Sequence, residues 1–237
     1  MIQRHSILLW KKAEKIDKDF DEIARETYEI LMVFQQYPEE IRPNFLSGKT
    51  KATAQKFNWI YENFRTVLRH GVNREDATVF EDLGYSVSFF SSINDHESCG
   101  FEITVGNKNE SFFDTIIVNV PLALNLYTKK DADMISSLFQ KLVLAYRPYW
   151  GIVSNKVLSR KYGKHLNEGL PATVQWINYW SPAIINKIGM EKIHTVLEKN
   201  RNLKYIDGIL SIKETALDMT KEEDIRFQDE LQKTLLK

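Results

Sequence analysis

The sequence predicts an α+β fold, with one domain spanning residues 1–237. Apolar residues recur at three- and four-residue steps in segments near both ends of the chain, which is the period of amphipathic helices. Residues 83–120 instead form short runs of β-branched and aromatic residues separated by Asn, Asp, Gly and Ser, which is typical of strands and turns. The 10 glycines and 6 prolines are scattered, so no linker divides the chain. We therefore expect an antiparallel sheet of about five or six strands packed against several helices.

Six segments have the helical period. Three of them stop before a residue that ends helices, namely Pro38, Gly71 and Pro148. Asp17 is the expected N-cap of the first helix, because a short acidic side chain can accept a hydrogen bond from a free backbone N–H. The predicted helices cover residues 17–37, 53–70, 131–146, 182–189, 190–200 and 221–236.

Six other segments have the strand pattern. Three of them follow one another at the centre of the chain and are joined by polar connections at 94–97 and 106–110, which predicts an antiparallel meander. The predicted strands cover residues 86–90, 100–105, 115–120, 150–153, 173–179 and 209–213.

The composition excludes several classes of protein. The chain has 32 basic and 32 acidic residues, whereas a protein that coats nucleic acid normally has a clear basic excess, so we expect no nucleic-acid partner. The opening apolar run covers only residues 7–10, and no segment approaches the ~20 apolar residues of a membrane span. Cys99 is the single cysteine, which fits a reducing compartment. We expect a cytoplasmic protein without a membrane partner.

No motif for a cofactor or a metal is complete. Ser47-Gly48-Lys49-Thr50 resembles the end of a phosphate-binding loop, but Pro43 stands where that loop needs its first glycine. The spacing of His5, His70, His165 and His194 is not that of zinc ligands. Neither a nucleophile elbow nor a dinucleotide-binding turn occurs. We expect no cofactor, no metal and no catalytic residues.

Asp95-His96-Glu97-Ser98-Cys99 gathers reactive side chains within five residues. One interpretation is an enzyme, such as a hydrolase, with a dispersed site around His96 and nearby carboxylates. The other is a polar loop leading into a strand, in which Cys99 is a small apolar residue. A pocket that converges on His96 would favour the enzyme, and an exposed loop would count against it.

The neutral total conceals two segments of opposite charge. Residues 76–135 have a net charge of −7, and residues 136–190 have a net charge of +6. The two segments could neutralise each other in the fold. Alternatively, the loops of the meander form an acidic surface that attracts a basic partner.

Several aromatic segments, in this order along the chain, resemble the immunity protein 52 family of bacterial polymorphic toxin systems. They are the apolar entry ending in Trp10, Arg42-Pro43-Asn44-Phe45-Leu46, Leu83-Gly84-Tyr85-Ser86, Trp150-Gly151-Ile152-Val153 and Pro171-Ala172-Thr173-Val174-Gln175-Trp176-Ile177-Asn178-Tyr179. The resemblance implies a small cytoplasmic α+β protein that binds a cognate toxin, often a nuclease, and protects the producing cell. It implies no catalytic residues.

The function predicted from the sequence is therefore neutralisation of a cognate protein toxin by occlusion of its active site. Because the substrate groove of a nuclease is usually basic, an acidic surface could occupy it in place of phosphates. The alternatives are the enzyme around His96 and a structural or regulatory protein of a mobile element. The residues predicted to contact the toxin are Asp95, Glu97, Glu102, Glu110 and Asp114.

Overall fold

The structure is a computed structural model that describes residues 3–13, 18–48, 53–76, 78–162, 166–167 and 169–236. These residues contain seven α-helices: α1 Phe20–Met32, α2 Tyr61–His70, α3 Lys129–Tyr146, α4 Lys156–Tyr162, α5 Pro182–Ile188, α6 Met190–Lys199 and α7 Glu222–Leu236. No helix among them is both long enough and apolar enough to cross a membrane.

The same residues contain fourteen strands. Ten of them are strands of the main sheet, and the other four form two small hairpins. The strands are β1 His5–Lys12, β2 Phe45–Leu46, β3 Gln55–Lys56, β4 Arg74–Glu75, β5 Thr78–Val79, β6 Leu83–Phe90, β7 Gly100–Asn107, β8 Phe113–Asn119, β9 Trp150–Asn155, β10 Leu166–Asn167, β11 Leu170–Pro171, β12 Ile177–Trp180, β13 Lys204–Ile206 and β14 Ile209–Ser211.

The α+β fold class is confirmed. The sheet has more strands than the five or six predicted, because several are only two or three residues long and are too short to show an alternating pattern.

The chain divides into two compact units. Unit 1 comprises Met1–Leu9, Leu124–Val143 and Pro148–Lys237, and unit 2 comprises Trp10–Ala123 and Leu144–Arg147. A single domain over 1–237 stays a prediction.

Unit 2 contains the predicted meander. Its strands lie in the order β8-β7-β6-β2-β3, and β6, β7 and β8 pair antiparallel in sequence. Alternate residues of β7 are buried, including Phe101, Ile103 and Val105, and α1 and α2 pack on the sheet through β7 and β6. Antiparallel sheets commonly cover one face in this way and leave the other open to solvent. On the other face, Ser86 of β6 and Glu102 of β7 are exposed, and the connections between the strands lie at the two ends of the meander.

The start of α1 is set by a capping box. The Asp19 carboxylate accepts a hydrogen bond from the backbone N–H of Glu22 at 2.9 Å, and the Glu22 carboxylate accepts one from the N–H of Asp19 at 3.2 Å. The helix therefore begins at Phe20 rather than at residue 17, and Asp17 lies outside the described residues. After Met32 the chain continues as one 3₁₀ turn to Gln36.

The second helix begins at Tyr61 rather than at residue 53, so that boundary of the prediction is wrong. Trp59 lies before the helix and donates its indole N–H to the carbonyl of Pro43 at 2.6 Å. The ring of Phe57 contacts that of Phe89 at 5.2 Å between centroids. These contacts with Pro43 and with Phe89 of the sheet hold residues 57–60 outside the helix, although their aromatic residues extend the helical spacing.

Unit 1 has the strand order β13-β14-β12-β9-β1, to which β1 contributes residues His5 to Leu9. Its core includes the fully buried Trp150 and Trp180, together with apolar residues of α3, α5, α6 and α7. The predicted strand 173–179 is shorter in the structure, where β12 begins at Ile177. The side chain of Asn178 accepts from the backbone N–H of Gln175 and donates to its carbonyl, both at 2.8 Å. This local bonding replaces strand pairing before Ile177.

Candidate functional site

The connection between β6 and β7 carries Asp95 and Glu97, two of the five predicted contact residues, and both are exposed. Asn94 shapes this connection. Its side-chain oxygen accepts a hydrogen bond from the backbone N–H of His96 at 3.1 Å, and its carbonyl accepts one from Glu97 at 3.2 Å. Ile93 beside them is 67% exposed. The turn presents two carboxylates on a hydrogen-bonded backbone.

The reactive residues of this connection are not brought together. His96 is exposed, whereas Cys99 is fully buried and its backbone N–H donates to the Ser91 hydroxyl at 2.8 Å. Burial raises the pKa of the Cys99 thiol well above its ordinary value, which keeps it protonated. A protonated buried thiol and an exposed imidazole do not make a nucleophile and base pair. This geometry counts against an enzyme centred on His96.

Glu102 lies in the middle of β7, on the face of the meander that α1 and α2 do not cover. Its neighbours across the sheet are Ser88 on β6 and Ile117 on β8. Two residues further along each strand, on the same face, the hydroxyls of Ser86 and Thr104 are 3.1 Å apart. Within the described residues, the Glu102 carboxylate has no hydrogen bond or ion pair. It is an exposed acid on a polar sheet surface.

Glu110 and Asp114 lie at the β7–β8 connection but in different surroundings. Glu110 is exposed. The Asp114 carboxylate is half-buried and accepts hydrogen bonds from the backbone N–H of Gly106 at 3.0 Å and of Asn107 at 2.9 Å. Gly106 has a φ of 79°, so the strand bends there, and Asp114 binds the backbone at that bend. Asp114 therefore has a structural role in the hairpin.

The five residues do not form one patch. The connections containing Asp95 and Glu110 are attached to opposite ends of β7. A strand of eight residues spans roughly 24 Å between these ends. The structure thus brings Asp95 and Glu97 together at one end, places Glu102 between the ends, and places Glu110 and Asp114 at the other end.

The acids of segment 76–135 are mostly on the surface. Eight of the ten carboxylates are exposed, and the two half-buried ones, Asp114 and Asp131, accept hydrogen bonds from backbone N–H groups. Asp133 forms an ion pair with Lys129 at 3.5 Å within the same segment. In the basic segment, Lys164 and Glu168 lie outside the described residues. Mutual neutralisation of the two segments stays a prediction.

Three apolar residues near Glu110 were not predicted as part of a site. Val79 ends β5 in the β4–β5 hairpin, Phe80 follows it, Phe112 precedes β8, and all three are exposed. Phe80 adjoins Glu81 and Phe112 is two residues after Glu110, but an aromatic residue next to a strand is usually interior. Their exposure, rather than their spacing, marks them as candidates for binding.

Unit 1 contains the other concentration of polar groups, around His5. His5 is 6% exposed, its Nε2 lies 3.4 Å from the Asn155 amide nitrogen, and its ring contacts that of Tyr127 edge-on. Burial lowers the pKa of His5 to about 4, although a hydrogen bond with the backbone of Gln3 acts in the opposite direction. Burial raises the pKa of Tyr127 to about 12. Neither pKa suits a general base near neutral pH.

No group of three or more His, Cys, Asp and Glu side chains within the described ranges is arranged to hold an ion.

Comparison with known proteins finds similarity among solved structures. No protein-family model and no curated protein matches the chain. Among solved structures, the chain is similar to the "Pseudomonas aeruginosa T6SS protein PA0821", with a TM-score of 0.64 and 12% sequence identity, over 98% of this chain and 73% of that chain. At this identity the similarity shows a shared fold. The resemblance to the immunity protein 52 family stays a prediction.

Proposed function

We propose that this chain is an immunity protein that binds a cognate bacterial toxin in the cytoplasm and neutralises it by covering its active site. The chain performs no catalysis of its own in this role. The toxin class that the surface charge fits best is a nuclease.

The shared fold with a T6SS protein is the observation that carries this proposal. The similarity extends over 98% of the chain, so it includes both units and is not limited to a common substructure. A T6SS protein of the same fold fits a toxin-system setting. The sequence resemblance to the immunity protein 52 family points to the same setting through different observations.

The exposed carboxylates support the nuclease as the target. Asp95, Glu97, Glu102 and Glu110 are all exposed in unit 2. A nuclease binds phosphates through basic residues, and an inhibitor with correctly placed carboxylates can occupy the same groups and associate rapidly. The proposed inhibition therefore needs a stable scaffold and an acidic surface.

The alternative enzyme is disfavoured by the β6–β7 connection. His96 is exposed on a turn, and the nearby thiol of Cys99 is buried and protonated. The alternative of a structural or regulatory protein of a mobile element predicts binding without protection.

The proposal predicts that a gene next to this one encodes a toxin domain, and the test uses that domain. Cells that express the toxin domain should survive only when this chain is also expressed, and the two proteins should form a stoichiometric complex by size-exclusion chromatography with light scattering. If the toxin cleaves DNA or RNA, one equivalent of this chain should abolish cleavage in vitro. A toxin that stays lethal and unbound contradicts the proposal, and a complex without protection favours the structural or regulatory alternative.

The role of the acidic residues is tested separately. Replacing Asp95, Glu97 and Glu110 together by lysine should slow association with the toxin domain and change its dependence on salt. All three side chains are exposed, so folding should be retained, which circular dichroism checks. Unchanged binding and unchanged salt dependence would show that these carboxylates do not contact the toxin.

A further inference from the structure

Two exposed loops meet at one end of the meander in unit 2. Residues 74–76 and 78–82, before β6, and residues 108–112, between β7 and β8, are exposed without interruption among the described positions. The backbone N–H of Lys108 donates to the carbonyl of Asp82 at 2.9 Å and joins the loops. The first loop leads into β6 and the second leads into β8. These two strands lie roughly 10 Å apart, because both are neighbours of β7. The loops therefore form a continuous surface.

This surface contains large apolar side chains that the fold does not use. Val79, Phe80 and Phe112 are 49%, 38% and 52% exposed, whereas the interior phenylalanines of the same unit, such as Phe89 and Phe101, are at most 1% exposed. Isolated exposed apolar residues are common, but two phenylalanines and a valine on adjoining loops form a patch. Exposed aromatic side chains of this kind act as anchors in protein interfaces.

Acidic residues lie on the same two loops as the apolar side chains. The two loops carry five carboxylates and two cations, which gives a net charge of −3. Among the acids, Asp76, Asp82 and Glu110 are all exposed. We name the combination of Val79, Phe80, Phe112, Asp76, Asp82 and Glu110 the loop-end surface. An apolar centre with charge at its margin is the usual composition of a protein docking site.

The backbone under the loop-end surface is held in place before any partner binds. The side-chain amide of Asn73 donates to the carbonyls of Leu83 at 2.6 Å and of Gly84 at 3.1 Å, and the Asn73 carbonyl accepts from the N–H of Phe80 at 2.8 Å. Beside the other loop, the Asp114 carboxylate at the start of β8 accepts hydrogen bonds from the backbone N–H groups of Gly106 and Asn107 at the end of β7. A surface that is already ordered loses less entropy on binding.

We propose that the loop-end surface docks a protein partner whose own surface is basic around an apolar depression. Phe80 and Phe112 enter the depression, and Asp82 and Glu110 face the basic groups. The identification of this partner as the toxin rests on the proposed function. The contact with the partner lies at this end of β7. Asp95 and Glu97, at the other end, take no direct part in it.

The charge separates this partner from other classes. Nucleic acid and anionic membranes are negatively charged and would be repelled by the carboxylates at the margin. A basic protein is attracted by them, and burial of the phenylalanines then holds the complex together. A second copy of this chain is the remaining occupant, and its binding would appear as self-association.

The experiment measures binding of the full chain to the purified toxin domain of the neighbouring gene. Three variants are compared: F80S/F112S, D82K/E110K and the control D95K/E97K, which makes the same change of charge at the opposite end of the meander. F80S/F112S should weaken the affinity at least about 30-fold, mainly through faster dissociation. D82K/E110K should slow association about tenfold and reduce its salt dependence. The control should bind within about threefold of the wild type.

The outcomes separate this inference from the proposed function. If the wild type binds and both loop-end variants bind equally well, the docking surface is wrong while the function stands. A larger loss in D95K/E97K than in D82K/E110K overturns the inference in favour of the opposite end. A wild-type dimer that F80S/F112S dissociates, with toxin binding unchanged, assigns the surface to a second copy instead. Failure of the wild type to bind overturns the proposed function and the inference with it.

Discussion

The two units use their polar residues in opposite ways. Of the thirteen polar or charged residues buried in the described part of the chain, ten belong to unit 1 and three to unit 2. Unit 1 bonds its backbone through these side chains, as in the hydrogen bond from the N–H of Val174 to Gln232 at 2.7 Å. Unit 2 has a largely apolar interior, rich in Phe, Ile, Leu and Val, and exposed carboxylates such as Asp95 and Glu110 lie on the connections between its strands. Buried polar side chains therefore contribute more to the interior of unit 1 than to that of unit 2, whose exposed acids lie where a partner can reach them.

The largest expected effect concerns two phenylalanines of unit 2. Phe101 is 1% exposed and its ring contacts that of Phe34 at 5.1 Å, whereas Phe112 is on the loop-end surface. Phe101→Ala should lower the free energy of unfolding by about 4 kcal/mol, because it leaves a cavity. Phe112→Ala should change it by less than about 0.5 kcal/mol. Urea denaturation measures both. Similar losses in the two variants would contradict the assignment of Phe112 to the surface.

A buried amide of unit 1 should have the next largest effect. The Gln175 side chain is fully buried, accepts from the backbone N–H of Asn155 at 3.0 Å and donates to Thr173 at 3.3 Å. Gln175→Leu should destabilise the protein by about 2–3 kcal/mol, because the Asn155 N–H is left buried without an acceptor. The matched control is Glu97→Gln in unit 2, which should be neutral in the same urea titration. A neutral Gln175→Leu would remove the contrast between the units.

Acid should weaken the protein through His5. Its pKa is about 4 in the folded protein and about 6.5 when unfolded, so below pH 6.5 the unfolded chain binds a proton that the folded chain excludes. Stability is therefore unaffected by this group above pH 6.5 and falls between pH 6.5 and 4. The loss from this histidine at pH 5 should be about 2 kcal/mol. His5→Gln should show a smaller loss between pH 7 and pH 5, and an equal loss would exclude His5 as the source.

The smallest change in stability is expected at Asn73. Asn73→Ala removes two hydrogen bonds to the carbonyls of Leu83 and Gly84 at the edge of unit 2. It should lower the free energy of unfolding by about 1 kcal/mol. Because the same bonds order the loop that carries Phe80, the affinity for the toxin domain should fall about threefold to tenfold. Lost stability with unchanged affinity would show that preorganisation of this loop does not matter.

The long elements could be predicted from the sequence because their periodicity is strong. The helix at 131–146 appears as α3, the terminal helix as α7, and the three meander strands as β6, β7 and β8. The first strand was missed, since its alternately buried His5, Ile7 and Leu9 are interrupted by the apolar Leu8 and Trp10. The second helix was predicted too early, because Phe57 and Trp59 have helical spacing but pack against other elements.

The candidate site could be predicted only in part. The acidic loops were visible in the sequence, but their attachment to opposite ends of β7 depends on strand register, which a charge count does not contain. The role of Asp114 depends on the left-handed conformation of Gly106, which forms a bend whose N–H groups need an acceptor. The exposure of Phe80 and Phe112 was hidden because a phenylalanine is interior in most folds.

The most direct test of the central claim is hydrogen–deuterium exchange of the full chain, free and in the presence of the toxin domain. Binding through the loop-end surface predicts slower exchange at residues 78–82 and 108–112, with residues 91–99 unchanged. Slower exchange confined to residues 91–99 or to unit 1 would contradict this docking surface. An exchange pattern identical with and without the toxin domain would contradict toxin binding itself.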